Sequence, residues 1–62
     1  MGTVKDVINF LRDVGVIKGN NVDYSGIIHY IESISLILGL SSEESVKKVL
    51  DYLIKNGYVM VG

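Results

Sequence analysis

The segment from Ser42 to Asn56 constrains this chain more than any other. Its apolar residues Val46, Val49, Leu50, Leu53 and Ile54 recur at helical spacing between clear start and stop signals. Ser41 and Glu44 stand at capping-box spacing ahead of it. Asn56-Gly57 supplies a stop, and Tyr58-Val59-Met60-Val61 is rich in strand formers. Any fold of this chain must therefore carry an amphipathic helix that ends on glycine and hands over to a strand.

The same order opens the chain. From Thr3 to Val14, the residues Val4, Val7, Ile8, Leu11 and Val14 lie on one helical face and Lys5, Asp6, Asn9, Arg12 and Asp13 on the other, with Thr3 as N-cap. Gly15 ends this helix, Val16-Ile17-Lys18 offers a short strand, and Gly19-Asn20-Asn21 reads as a turn. The stretches Val4 to Leu11 and Val46 to Leu53 align when shifted by 42 positions, with Gly15 over Gly57. Shared helix physics accounts for this likeness, and duplication is the alternative. Between them, Ile27, Tyr30, Ile31, Ile34, Ile37 and Leu38 predict a buried helix from about Asp23 or Ser25 to Leu38, with His29, Glu32 and Ser33 outside its apolar arc. Its β-branched residues lower helix propensity, so tertiary packing must hold it; a buried strand is the alternative.

With 62 residues there is room for one core, so residues 1–62 form a single domain, and at this size only about 60% of the unfolded surface is buried. No cysteine is present to add a disulfide or a thiolate metal site. Although 48% of the residues are hydrophobic, the apolar stretch Gly26 to Leu40 is too short to span a bilayer and is interrupted by His29, Glu32 and serines. No membrane insertion is expected. The N-terminus lacks the pattern of a signal peptide, which points to the cytoplasm. Seven acids against six bases give a net charge of −1, with one arginine, which is unfavourable for affinity to phosphates.

From the middle helix onward, the run LILGLSSEESVKKVLDYLIKNGYVMV resembles winged-helix DNA-binding domains, in which a short helix, a glycine-containing turn and a recognition helix lead into a strand. The resemblance covers nearly the whole chain. It implies a mainly α fold with a small β element: a three-helix, winged-helix-like domain in the order helix, short strand, helix, helix, strand. The chain departs from that pattern at Gly62, where a full wing would turn and return, so the wing is expected to be truncated. Winged-helix domains with a broken wing, similar to those of ESCRT-type assemblies, serve as protein docking modules, and fold does not fix function.

The resemblance implies double-stranded DNA as partner and a role as a small transcriptional regulator. In that reading Lys47, Lys48 and Lys55 contact phosphate, Ser42 or Ser45 lies near base edges, and Tyr52 sits at the rim. Against it, Glu44 with Lys48, Lys47 with Asp51, and Asp51 with Lys55 stand at i,i+4 spacing, so the face can neutralise itself. Glu43 and Glu44 at the helix start favour its dipole and repel phosphate. The remaining bases, Lys5, Arg12 and Lys18, form no run with interleaved aromatics. The alternative is a protein-interaction or assembly module, including a homodimer. It rests on Ile28 and Leu36, which fall outside the main apolar arc, and on a strand edge at Val59 and Val61. Ile28 and Leu36 could instead be covered by the first helix, or the middle helix could break near Ser33. Catalysis, metal and cofactors are not expected. His29 is the lone histidine, Glu43 and Glu44 point in different directions, and Gly15 and Gly19 do not form a phosphate loop.

Overall fold

The computed structural model describes residues 2–62. The elements are α1 (Val4–Asp13), β1 (Ile17–Lys18), β2 (Asn21–Asp23), α2 (Tyr24–His29), α3 (Ile31–Leu38), α4 (Ser42–Lys55) and β3 (Val59–Val61). The fold is mainly helical with a small sheet, as the sequence predicts. It differs in having a second strand after the turn and a middle helix split in two.

Local chemistry explains the ends of α1 and α4. The Thr3 hydroxyl accepts from the Asp6 amide at 3.3 Å while Asp6 Oδ2 accepts from the Thr3 amide at 2.8 Å, a reciprocal capping box. At the other end, the Val16 amide donates to Leu11 O and the Gly15 amide to Arg12 O. The last turn of α4 repeats this pattern, with Tyr58 donating to Leu53 O and Gly57 to Ile54 O. Both are Schellman motifs, which need a left-handed residue one position before the final donor; Gly15 has φ 82° and Gly57 has φ 80°. The likeness of the two segments is thus realised as two helices with the same C-terminal lock.

The strand after α1 turns back on itself. Ile17 pairs with Val22 and Lys18 with Asn21, so the loop is Gly19-Asn20 alone and Asn21 belongs to β2 rather than to the turn. Gly19 at φ 58° with no positive φ at Asn20 matches a type II′ hairpin. β2 is the central strand, antiparallel to β1 and parallel to β3 in the register Asn21 with Val59, Val22 with Met60 and Asp23 with Val61. Alternation places Ile17, Val22 and Met60 toward the core, and Lys18, Asn21, Asp23, Val59 and Val61 on the outer face.

Asp23 ends β2 and caps α2, accepting from the Ser25 amide at 3.1 Å and the Ser25 hydroxyl at 2.7 Å. The Ser25 hydroxyl bond is the main reason its carboxyl is held below the usual range. The expected single middle helix breaks at Tyr30, three residues before Ser33. There the backbone leaves helical geometry (φ −100°, ψ 19°) and the Tyr30 ring meets Phe10 of α1 edge-on, with centroids 5.4 Å apart. With weak intrinsic propensity in this segment, such a tertiary contact can decide where the helix bends.

The core comprises Val7, Ile8 and Leu11 of α1, Val16, Ile17 and Val22 of the hairpin, Ile27, Ile34 and Leu38 of the middle helices, and Val49 and Leu53 of α4. The buried stripe of α4 runs Ser45, Val49, Leu53, flanked by half-buried Val46, Leu50 and Tyr52. The expected face is therefore rotated toward Ser45, and Ile54, expected in the core, is 67% exposed.

Candidate nucleic-acid interface

The short helix α3, a tight turn and the longer helix α4 build the exposed corner of the molecule. α3 ends at Gly39, whose left-handed φ of 66° lets its amide donate to Ser35 O at 2.8 Å and turns the chain after a single position. Leu40 and Ser41 then lead into α4. The Ser41 hydroxyl accepts from the Glu44 amide at 3.2 Å and lies 3.2 Å from Glu44 Oε1, to which it donates. Ser35 donates to the hydroxyl of Ser42 at 3.4 Å, linking the two helices across the turn.

The charges on α4 do not cancel as their spacing allows. Asp51 and Lys55 form an ion pair at 3.3 Å. Glu44 is turned toward Ser41, and among the described residues neither Lys47 nor Lys48 has a carboxylate within 4 Å. Leu40, Glu44, Lys47, Lys48 and Asp51 line one shallow groove along this face. A second groove, lined by Glu32, Ser35, Leu36, Gly39, Leu40 and Ser42, adjoins it through the shared Leu40.

Of the residues expected at a DNA contact, Ser42, Lys47, Lys48 and Lys55 are exposed and Tyr52 is half-buried at the margin. Ser45 is corrected: it is 0% exposed, facing the core, and cannot reach a base edge. The cause is the rotation of α4, which spends a serine on the inside and leaves Ile54 outside. Arg12 is occupied elsewhere. Its guanidinium donates to Tyr58 Oη at 2.7 Å and to Gly19 O at 3.3 Å, and lies 5.7 Å from the Tyr58 ring centroid, so it clasps the hairpin turn and the residue that precedes β3.

The apolar residues expected at a docking surface are all exposed but do not share one element. Ile28 lies on α2 and Leu36 on α3, where it is 83% exposed, while Val59 and Val61 lie on the outer face of β3, an edge strand. Two further apolar side chains reach the surface: Leu40, which the sequence reading does not place at a site, and Ile54, which it places in the core. Leu40 follows the turn glycine, a position that signals a surface corner. Ile54 carries no such signal, because helical periodicity tolerates a rotation of the buried face. Among the described residues no helix is long and apolar enough to cross a membrane.

Uncharacterized protein 69 of Sulfolobus islandicus filamentous virus (isolate Iceland/Hveragerdi) is 69% identical to this chain over 62 residues, the whole of both. The chain belongs to that protein's family. No known family profile and no solved structure matches it.

Proposed function

We propose that this chain is a helix-turn-helix domain of winged-helix type that binds double-stranded DNA and acts as a small transcriptional regulator. The observation that carries the reading is the pair Lys47 and Lys48. Both are exposed on the helix that follows a left-handed glycine turn, and among the described residues neither has a neutralising carboxylate within 4 Å. In this reading α4 enters the major groove, the two lysines contact phosphates, and the Ser42 hydroxyl at the helix start approaches base edges. Lys55 joins them only by leaving Asp51. Glu43 and Glu44 oppose phosphate at the helix N-terminus, which keeps affinity modest.

Titration of the isotope-labelled chain with duplex DNA at low salt tests the reading. Amide shifts concentrated between Ser41 and Lys55, weakening as salt rises, are expected. No shift in that segment at low salt overturns it. A second reading, a protein-interaction or assembly module, draws on the exposed side chains of Ile28 and Leu36; it is favoured if DNA leaves α4 unshifted.

A further inference from the structure

We infer that Asn56-Gly57 is a self-modification site: the C-terminal lock of α4 holds off conversion of Asn56 to aspartate or isoaspartate, and the product undoes that lock. The inference stands apart from DNA binding. Of the four asparagines, Asn9, Asn20, Asn21 and Asn56, only Asn56 precedes a glycine. Glycine has no side chain to shield its amide nitrogen and adopts readily the backbone angles that ring closure needs. In the reaction the Gly57 nitrogen, as it gives up its proton to base, attacks Asn56 Cγ. The new C–N bond closes a cyclic imide, the bond from Cγ to Nδ2 breaks, and ammonia leaves. Water then opens the imide at either carbonyl, giving aspartate from one and isoaspartate from the other. Water is the only reagent consumed, and both residues are exposed to it.

The folded backbone forbids the attack. Ring closure needs the Gly57 nitrogen beside Asn56 Cβ, but at ψ 14° it lies beside Asn56's own amide nitrogen instead. Both reacting groups are also held elsewhere. Asn56 Nδ2 donates to Tyr52 O at 2.7 Å, and the Gly57 amide donates to Ile54 O at 3.2 Å. Turning Asn56 to the reactive angle carries Gly57 and Tyr58 with it, which breaks the bond from the Tyr58 amide to Leu53 O and pulls Tyr58 from Arg12. Conversion therefore requires local opening of the last turn of α4 together with the entry to β3. Either product weakens that segment, because it loses the donor to Tyr52 O and puts a negative charge at the negative end of the helix dipole. Isoaspartate also routes the main chain through Cβ, and the added backbone atom displaces the Tyr58 amide from Leu53 O and the Val59 amide from Asn20 O. An opening that ends in isoaspartate thus releases β3 irreversibly.

Peptide mapping by mass spectrometry of the full chain, held at mildly alkaline pH with and without denaturing guanidinium chloride, tests the inference. In denaturant Asn56 is expected to convert before Asn9, Asn20 and Asn21. In the folded chain its conversion should be at least about tenfold slower. Tyr58→Phe, which removes the hydroxyl that Arg12 grips, should speed conversion in the folded chain and leave the rate in denaturant unchanged. In the isolated isoaspartate form, hydrogen exchange at the Val59 amide should be faster than in the parent. Equal rates in the folded and denatured chain, another asparagine converting first in denaturant, a folded rate indifferent to Tyr58→Phe, or a Val59 amide as protected after conversion as before it overturns the proposal.

Discussion

Replacing Ser45 with alanine should make this protein more stable. The Ser45 side chain is fully buried on α4, and its hydroxyl has no hydrogen-bond partner among the described residues. An unsatisfied buried hydroxyl costs about 1–3 kcal/mol relative to its hydrated state in the unfolded chain. Alanine removes that cost and adds roughly 0.5 kcal/mol of helix propensity. Against this, the missing oxygen leaves a void of one atom, worth about 0.3 kcal/mol at about 24 cal/mol per Å³. The balance is a gain of at least about 1 kcal/mol. For a domain of this size each kcal/mol moves the melting midpoint by roughly 4–8 °C. Thermal and urea unfolding followed by circular dichroism, at matched protein concentration, should show Ser45→Ala melting at least about 4 °C higher. Ser42→Ala, on the exposed side of the same helix, is the control and should show no comparable gain. A Ser45→Ala variant no more stable than its parent would mean that the hydroxyl is hydrogen-bonded in solution, and the reasoning would fail. The same variant should bind duplex DNA as the parent does, because Ser45 faces inward.

Four further outcomes follow from named contacts. In the proposed DNA complex, Lys47 and Lys48 neutralise about two phosphates while Lys55 stays with Asp51, so DNA affinity should fall about 12-fold between 50 and 200 mM salt; fluorescence anisotropy showing no salt dependence would refute that contact set. Asp51→Asn should release Lys55, raising low-salt affinity and steepening that dependence, while urea unfolding changes by less than about 0.5 kcal/mol because the pair is exposed. Gly26→Ala places a Cβ 2.8 Å from Val16 Cγ2, an overpacking of about 1–3 kcal/mol that exceeds the helix-propensity gain of about 1 kcal/mol; the penalty should shrink in a Val16→Ala background, as a double-mutant cycle would reveal. Asp23 has its folded-state pKa lowered, so its contribution to stability is complete above its ordinary unfolded value and is lost as pH falls through the folded value. The stability difference between the parent and Asp23→Asn should therefore disappear in acid and stay constant near neutrality.

Much of this architecture was legible because it rests on local chemistry. Thr3, Gly15, Ser41 and Gly57 mark helix ends through hydrogen bonds to residues a few positions away, and each does so in the structure. Features set by distant contacts were not legible. The sequence offers a break near Ser33 only as an alternative, and the break at Tyr30 coincides with its packing on Phe10, which is distant in sequence. The second strand was hidden because Asn21 suits a turn as well as a strand, and its pairing with Val59 joins residues far apart in sequence. At the candidate interface, periodicity identified the helix and its lysines but not the rotation that buries Ser45 and exposes Ile54. Spacing also permitted three ion pairs on α4, and among the described residues only the last is formed: the Ser41 hydroxyl draws Glu44 toward the helix start, and Asp51 pairs with Lys55 rather than Lys47.

The placement of β3 beside β2, running in the same direction, also sets the order in which the chain can fold. The hairpin of β1 and β2 and the capped helices need only neighbours in sequence, so they can form early and fast. The bond from the Val59 amide to Asn20 O closes a loop containing α2, α3 and α4, and that closure is entropically costly until those helices have packed. Docking of the last strand should therefore be the late, slow event of folding, and the clasp of Arg12 on Tyr58 the latch that follows it.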